Sequence, residues 1–181
     1  MRRVEIWLQS AVCLSGSAAL LVGCVMQSTY NSMLQQQQAI ESSLRAEISA
    51  DQVQIEELKD GIHVRMSSDL LYREGAVELN PKGRAALDKV APQFASESYE
   101  IDVIGNTDNL PIGAELAGRY ATNWELAGAR AAIVVRYLQE HSVDPSRLRA
   151  ISAGQYHPID SNDTAAGRAR NRRTEILLRP R

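Results

Sequence analysis

The chain has 181 residues, 44% hydrophobic and 23% charged, the mix of a globular domain rather than of a disordered or collagen-like chain. Lys and Arg number 20 against 22 Asp and Glu, a formal net charge of -2, so bulk electrostatics recruits neither nucleic acid nor an acidic membrane. The 3 histidines, 2 cysteines and 5% aromatic content are too few for a disulfide-stapled scaffold, for most metal frameworks or for a base-stacking surface.

The chain opens on the basic Met1-Arg2-Arg3, and Ala11 to Val22 holds only small or apolar residues. A spanning helix needs about 20 apolar residues, so this shorter run has the length of a signal-peptide core. It ends in Leu21-Val22-Gly23-Cys24, which resembles the lipobox of bacterial lipoproteins. That resemblance implies cleavage after Gly23 and acylation of Cys24. Val25 stands where inner-membrane lipoproteins of the enteric type carry Asp, which implies the outer membrane as destination. Two or more acyl chains hold stably where one holds only marginally.

From Gln27 to about Asp60 there is neither proline nor glycine, and Gln35 to Gln38 head a stretch rich in Glu, Ala, Leu and Ile. This composition predicts helix. Read as heptads, Leu34, Ile48, Ile55 and Ile62 fall at one seam position and Tyr30, Leu44 and Leu58 at the other, with Gln37, Glu41 and Asp51 interrupting. The pattern suits partial coiled-coil character, with self-association or a protein partner through residues 28–60, and equally a solvated spacer. About 30 helical residues would reach roughly 45 Å.

Gly61 breaks the pattern, and the residues beyond it suffice for one core. Ile62, Val64 and Met66 alternate with His63 and Arg65 as in a half-buried strand. Asn80-Pro81 reads as N-cap and first helical position, with Gly83, Leu87, Val90, Ala91 and Phe94 as the helix stripe. A second strand carries Tyr99, Ile101 and Val103 on one side and Glu100, Asp102 and Ile104 on the other, ending at Gly105-Asn106-Thr107-Asp108. Residues 109–121 contain Pro111, Gly113 and Gly118 and read as irregular. Thr122-Asn123-Trp124-Glu125 is a capping box opening a helix to about His141, with Trp124, Ala127, Ala131, Val134, Val135 and Leu138 as its apolar face. Strands at Leu148 to Ala153 and Arg172 to Leu178 follow, with a helical turn at Thr164 to Arg170 between them. Strands separated by helices of this length predict an α/β sandwich, with helices on one face of the sheet.

A polar set remains that this core does not need. Asn123, Leu126 and Arg130 share a stripe at i, i+3 and i+7. Asp108 lies just past a strand end, where α/β folds build binding crevices. An Asp and an Arg flanking one crevice suit a zwitterion, the guanidinium fork taking the carboxylate and the Asp taking the ammonium.

Three ordered motifs carry a resemblance: Gly105 to Asp108, Asn123 to Ala131, and Asn162-Asp163-Thr164 through Gly167-Arg168-Ala169-Arg170-Asn171-Arg172-Arg173-Thr174-Glu175-Ile176. Over about residues 64–178 the chain resembles the OmpA-like peptidoglycan-binding domain. Asp108-Asn109-Leu110-Pro111-Ile112 and Asn123-Trp124-Glu125-Leu126 bring it closest to the subgroup of the flagellar-motor stator MotB. The resemblance implies a βαβαβ-type α+β sandwich with helices on one mixed sheet, preceded by a long helix and a signal peptide. The expected division is signal peptide 1–23, lipidated N-terminus and helical spacer 24–61, and OmpA-like domain 62–181.

It further implies noncovalent binding of peptidoglycan through the diaminopimelate of its stem peptide. Asp108 and Arg130 match the ligand-binding pair, Asn123 and Leu126 match positions lining the pocket, and Arg173 matches one near the ligand. Thr107 would supply backbone and turn geometry. Three departures stand out: Asn106 replaces the usual His, Ala127 replaces a Ser, and Arg73 after Tyr72 stands where the family often has Asp, at the expected pocket rim.

Taken singly, Asp108 could close a turn, Arg130 could pair on a solvated helix face, and Arg168 to Arg173 could be a surface patch. The ordered motifs downstream of a lipobox favour binding. Catalysis finds less support: His63, His141 and His157 are scattered, and there is no HExxH, no zinc-type cysteine pair, no nucleophile elbow and no phosphate-cradling glycine loop. The sequence therefore predicts an outer-membrane lipoprotein that tethers to the cell wall, with no cofactor, metal or nucleic acid.

Overall fold

The computed structural model of the chain describes residues 30–73, 75–95 and 99–181. The expected signal segment 1–23 and Cys24 lie outside the described residues. The chain divides at Gln36, and Gln37–Arg181 form one compact unit. Residues 30–36 are helical; the compact unit carries the fold.

Helices α1 (residues 30–43) and α2 (Arg45–Ser49) lead into a hairpin of β1 (Val53–Leu58) and β2 (Gly61–Ser67). Then come α3 (Ser68–Leu71), α4 (Pro81–Phe94), β3 (Tyr99–Asn106), α5 (Ala114–Ala117), α6 (Asn123–Glu140), a 3-10 turn (Pro145–Arg147), β4 (Leu148–Gly154), α7 (Ala165–Asn171) and β5 (Arg173–Pro180). The strands form one mixed sheet in the order β1-β2-β5-β3-β4. Among the described residues only the β3–β4 pairing is parallel, with α6 as its crossover. The mixed α/β architecture expected from the sequence is the one observed.

Alternation decides which side chains face the helices. Register aligns Val64 with Ile176, Ile176 with Val103, and Ile101 with Leu178; these five are fully buried. Phe94, Leu87 and Val90 of α4 and Ala127, Ala131, Val134 and Leu138 of α6 are buried as well. The opposite parity carries charge. Asp102 bridges Arg149 at 2.6 Å and Arg179 at 2.8 Å, and Arg65 reaches Glu56 at 2.9 Å and Glu175 at 3.7 Å. Such cross-strand pairs add modestly to sheet stability.

Helix starts follow the local chemistry read from the sequence. The Asn80 side chain accepts from the Gly83 N–H at 2.7 Å, with Pro81 at the first helical position. At Thr122 the capping box is complete, the Thr122 N–H donating to Glu125 Oε2 at 2.7 Å. Arg147, 1% exposed, staples the helix layer to the sheet: its guanidinium donates to the Tyr99 carbonyl at 2.9 Å and to the Phe94 carbonyl at 2.9 Å.

Three expectations need correction. The helix predicted to run to about Asp60 ends at Ser49, and residues 53–58 are an edge strand. Asp51 takes a left-handed backbone (φ 54°) and the Gln52 N–H closes on the Glu47 carbonyl at 3.0 Å, stopping the helix. Beyond it Val53 and Ile55 alternate with Gln54 and Glu56, the strand period. The heptad seam is therefore broken: Ile55 and Leu58 lie on β1, Ile62 on β2, and Leu44 is fully buried within its own unit. Secondly, Trp124 is not on the apolar face of α6; it is 45% exposed and stacks on Tyr156 with ring centroids 5.2 Å apart. Thirdly, the segment after β3 is not wholly irregular, because it contains α5.

Candidate functional site

The C-terminal end of β3, the start of α6 and the loop between them enclose a cleft of about 720 Å³. Thr107, Asp108, Asn123, Leu126 and Arg130 all line it. Five of the six non-lipid residues predicted from the sequence are thus brought together.

Asp108 is only 7% exposed and is fixed through both carboxylate oxygens. Its Oδ1 accepts from the Leu110 N–H at 3.1 Å, turning the chain, and its Oδ2 accepts from Arg172 Nη1 at 2.9 Å. Thr107 anchors the strand end: its N–H donates to the Gly154 carbonyl at 2.8 Å and its hydroxyl to the Asp108 carbonyl at 2.9 Å. Asn123 ties α6 to both neighbouring loops, its amide donating to the Leu110 carbonyl at 3.0 Å and to Gln155 Oε1 at 2.7 Å. Leu126 forms the apolar floor with Val77 and Leu116.

Arg130 reaches across from α6 to the loop between Tyr72 and Leu79. Its Nη2 donates to the Ala76 carbonyl at 3.0 Å, and its guanidinium carbon lies 5.1 Å from the Tyr72 ring centroid, a cation–π distance. The Tyr72 hydroxyl donates to the Arg130 carbonyl at 3.2 Å and shares a 2.8 Å contact with Thr174 Oγ1. Burial pushes the Tyr72 phenol up to about 12, so it stays neutral. Burial also draws the Arg130 guanidinium below its usual range; Tyr72 and the Asp108 carboxylate oppose this, and the Arg172 cation adds to it. An arginine in this range keeps its charge, so the cleft presents a half-desolvated cation close to an anion.

Arg173 does not line this cleft. It is 4% exposed on the opposite face of the sheet, where its Nε donates to Glu175 Oε1 at 2.8 Å and its Nη2 to the His157 carbonyl at 3.1 Å. Its neighbour Arg172 lines the cleft instead. Successive residues entering a strand point to opposite faces, so the two arginines separate. Tyr72 and the Ala76 carbonyl also escape sequence reasoning, since both act through a loop whose return is fixed only by tertiary contacts.

Fold and cleft together define an α/β domain with an open cleft at one strand end, lined by both acidic and basic side chains. The chain belongs to the OmpA family, whose model matches residues 71–172. It is 40% identical over 116 residues to Outer membrane protein A of Bordetella avium, covering 64% of this chain and 56% of that protein. The chain thus spans little more than half the length of that relative. Among solved structures, a MotB-like protein from Desulfovibrio vulgaris superposes with a TM-score of 0.77 at 26% identity, covering 87% of this chain and 99% of the other. The cell wall anchor of the T6SS from Pseudomonas aeruginosa gives a TM-score of 0.71 at 30% identity, covering 78% and 97%.

Proposed function

We propose that the chain binds peptidoglycan noncovalently, gripping the diaminopimelate side chain of the stem peptide, and that acylated Cys24 makes it a tether between the outer membrane and the cell wall. One observation carries the binding reading: Asp108 and Arg130, 22 positions apart in sequence, line a single cleft. The distal end of diaminopimelate is an amino-acid zwitterion. Asp108 takes its ammonium, Arg130 takes its carboxylate through the guanidinium fork, and Leu126 supports the methylene chain between them. Arg172 holds Asp108 in place until the ammonium arrives. The structural likeness to a cell wall anchor supports the same reading.

The chain should sediment with purified sacculi, and millimolar free diaminopimelate should release it. Sedimentation indifferent to the free amino acid would remove the cleft from the account. The anchor rests on the basic start, the short apolar core and the small-small-Cys ending. Radioactive palmitate should label the unaltered chain and leave Cys24→Ser unlabelled; a labelled variant would refute acylation at that position.

A further inference from the structure

Beside the first cleft lies a second, of about 510 Å³, lined by Ser68, Asp69, Tyr72 and Arg73 together with the shared Arg130 and Arg172. The two shared guanidiniums form the partition between the clefts. Their charge balance differs. Among the described residues, Asp108 and Glu115 face Arg130 and Arg172 on the first side, whereas on the second side the exposed Asp69 faces three guanidiniums, because Arg73 joins the other two. A cleft so lined favours an anion.

A second, independent feature points the same way. Ser68 is 6% exposed and its hydroxyl has no hydrogen-bond partner among the described residues. It sits beside Arg172, its N–H donating to the Arg172 carbonyl at 2.9 Å. A buried hydroxyl is costly to leave unmatched, and a ligand oxygen would satisfy it. A flat carboxylate suits a serine hydroxyl and guanidinium forks together, since it accepts at both oxygens.

We propose that this second cleft is a carboxylate subsite, holding the free α-carboxylate of the γ-linked glutamate that precedes diaminopimelate in the stem peptide. The inference rests on the diaminopimelate reading of the first cleft and adds selectivity to it. Arg73 is the specificity residue, Ser68 supplies the hydrogen bond, and the shared partition makes the two subsites adjacent, as the carboxylates of neighbouring residues require. A stem peptide amidated at that glutamate offers no charge here and meets the same three cations.

The test is calorimetric titration of the full chain with two synthetic peptides, N-acetyl-γ-D-glutamyl-diaminopimelate, whose glutamyl nitrogen is acylated as in the stem peptide, and the same peptide with its glutamyl α-carboxylate amidated. The free acid should bind about tenfold more tightly, the scale of a hydrogen bond to a charged group. In Arg73→Glu, a change at an exposed position, the preference should vanish or reverse, and Ser68→Ala should reduce it. Equal affinity for both peptides in the unaltered chain, or a preference that survives in Arg73→Glu, would overturn the second subsite. Binding of neither peptide would overturn the diaminopimelate reading itself.

Discussion

Asp108→Asn should lose binding to sacculi almost as completely as Asp108→Ala, while melting at a higher temperature than Asp108→Ala. Asparagine keeps one acceptor, which can still take the Leu110 N–H now bonded to Oδ1 at 3.1 Å, whereas its NH2 replaces Oδ2 and cannot accept from Arg172 Nη1, now at 2.9 Å. The loop turn therefore survives, and what disappears is the charge together with its bond to Arg172. If Asp108 only closed a turn, asparagine would be harmless, since Asn and Asp both make such turns. If it takes an ammonium, the guanidiniums of Arg130 and Arg172 are left without their buried counter-charge and repel the ammonium end of the ligand. Breaking one partner of such a contact costs about 2–5 kcal/mol, or roughly thirty-fold to a few thousand-fold in affinity. Arg130→Lys should show the complementary pattern: the charge remains, but the fork is lost, together with the bond to the Ala76 carbonyl and the ring contact with Tyr72. Sacculus binding by Asp108→Asn at full strength would leave Asp108 a structural residue.

The parts of this site that could be read from the sequence are those set by short-range periodicity. A capping box placed the start of α6, and 3.6-residue spacing then put Asn123, Leu126 and Arg130 on one stripe, as the cleft lining shows. The alternation of Tyr99, Ile101 and Val103 marked the second strand, and because β3 ends at Asn106 it delivers Thr107 and Asp108 directly to the cleft. Arg172 was within reach by the same rule. It shares strand parity with the buried Thr174, Ile176 and Leu178, whereas Arg173 shares parity with Glu175, to which it is paired. Family resemblance favoured Arg173; alternation favours Arg172. Residues 53–58 were hidden for a different reason. Their Gln and Glu content suits a helix, and only Asp51 turning the backbone and β2 offering a partner edge select the strand.

Gly105→Ala and Gly128→Ala should have opposite effects, although both positions lie where α6 meets the sheet. A Cβ on Gly105 would fall 2.1 Å from the Ala127 carbonyl oxygen and 2.8 Å from its carbonyl carbon, both backbone atoms of α6. No rotamer change relieves that contact, so the helix must retreat from β3. Overpacking of this kind costs about 1–3 kcal/mol, and more where the backbone itself has to move. Here the displacement also separates Asn123, Leu126 and Arg130 on α6 from Thr107 and Asp108 at the end of β3, so sacculus binding should fall along with stability. On Gly128 the nearest atom to an added Cβ is the Ser152 Cβ at 3.6 Å, ordinary contact. Helix propensity then dominates, and alanine in a helix interior is favoured over glycine by about 0.8–1 kcal/mol. Gly128→Ala should therefore melt at a higher temperature and bind normally. Urea unfolding of the two variants beside the unaltered chain decides the matter: if Gly105→Ala matches Gly128→Ala in midpoint, the close approach of strand and helix does not set the geometry of the cleft.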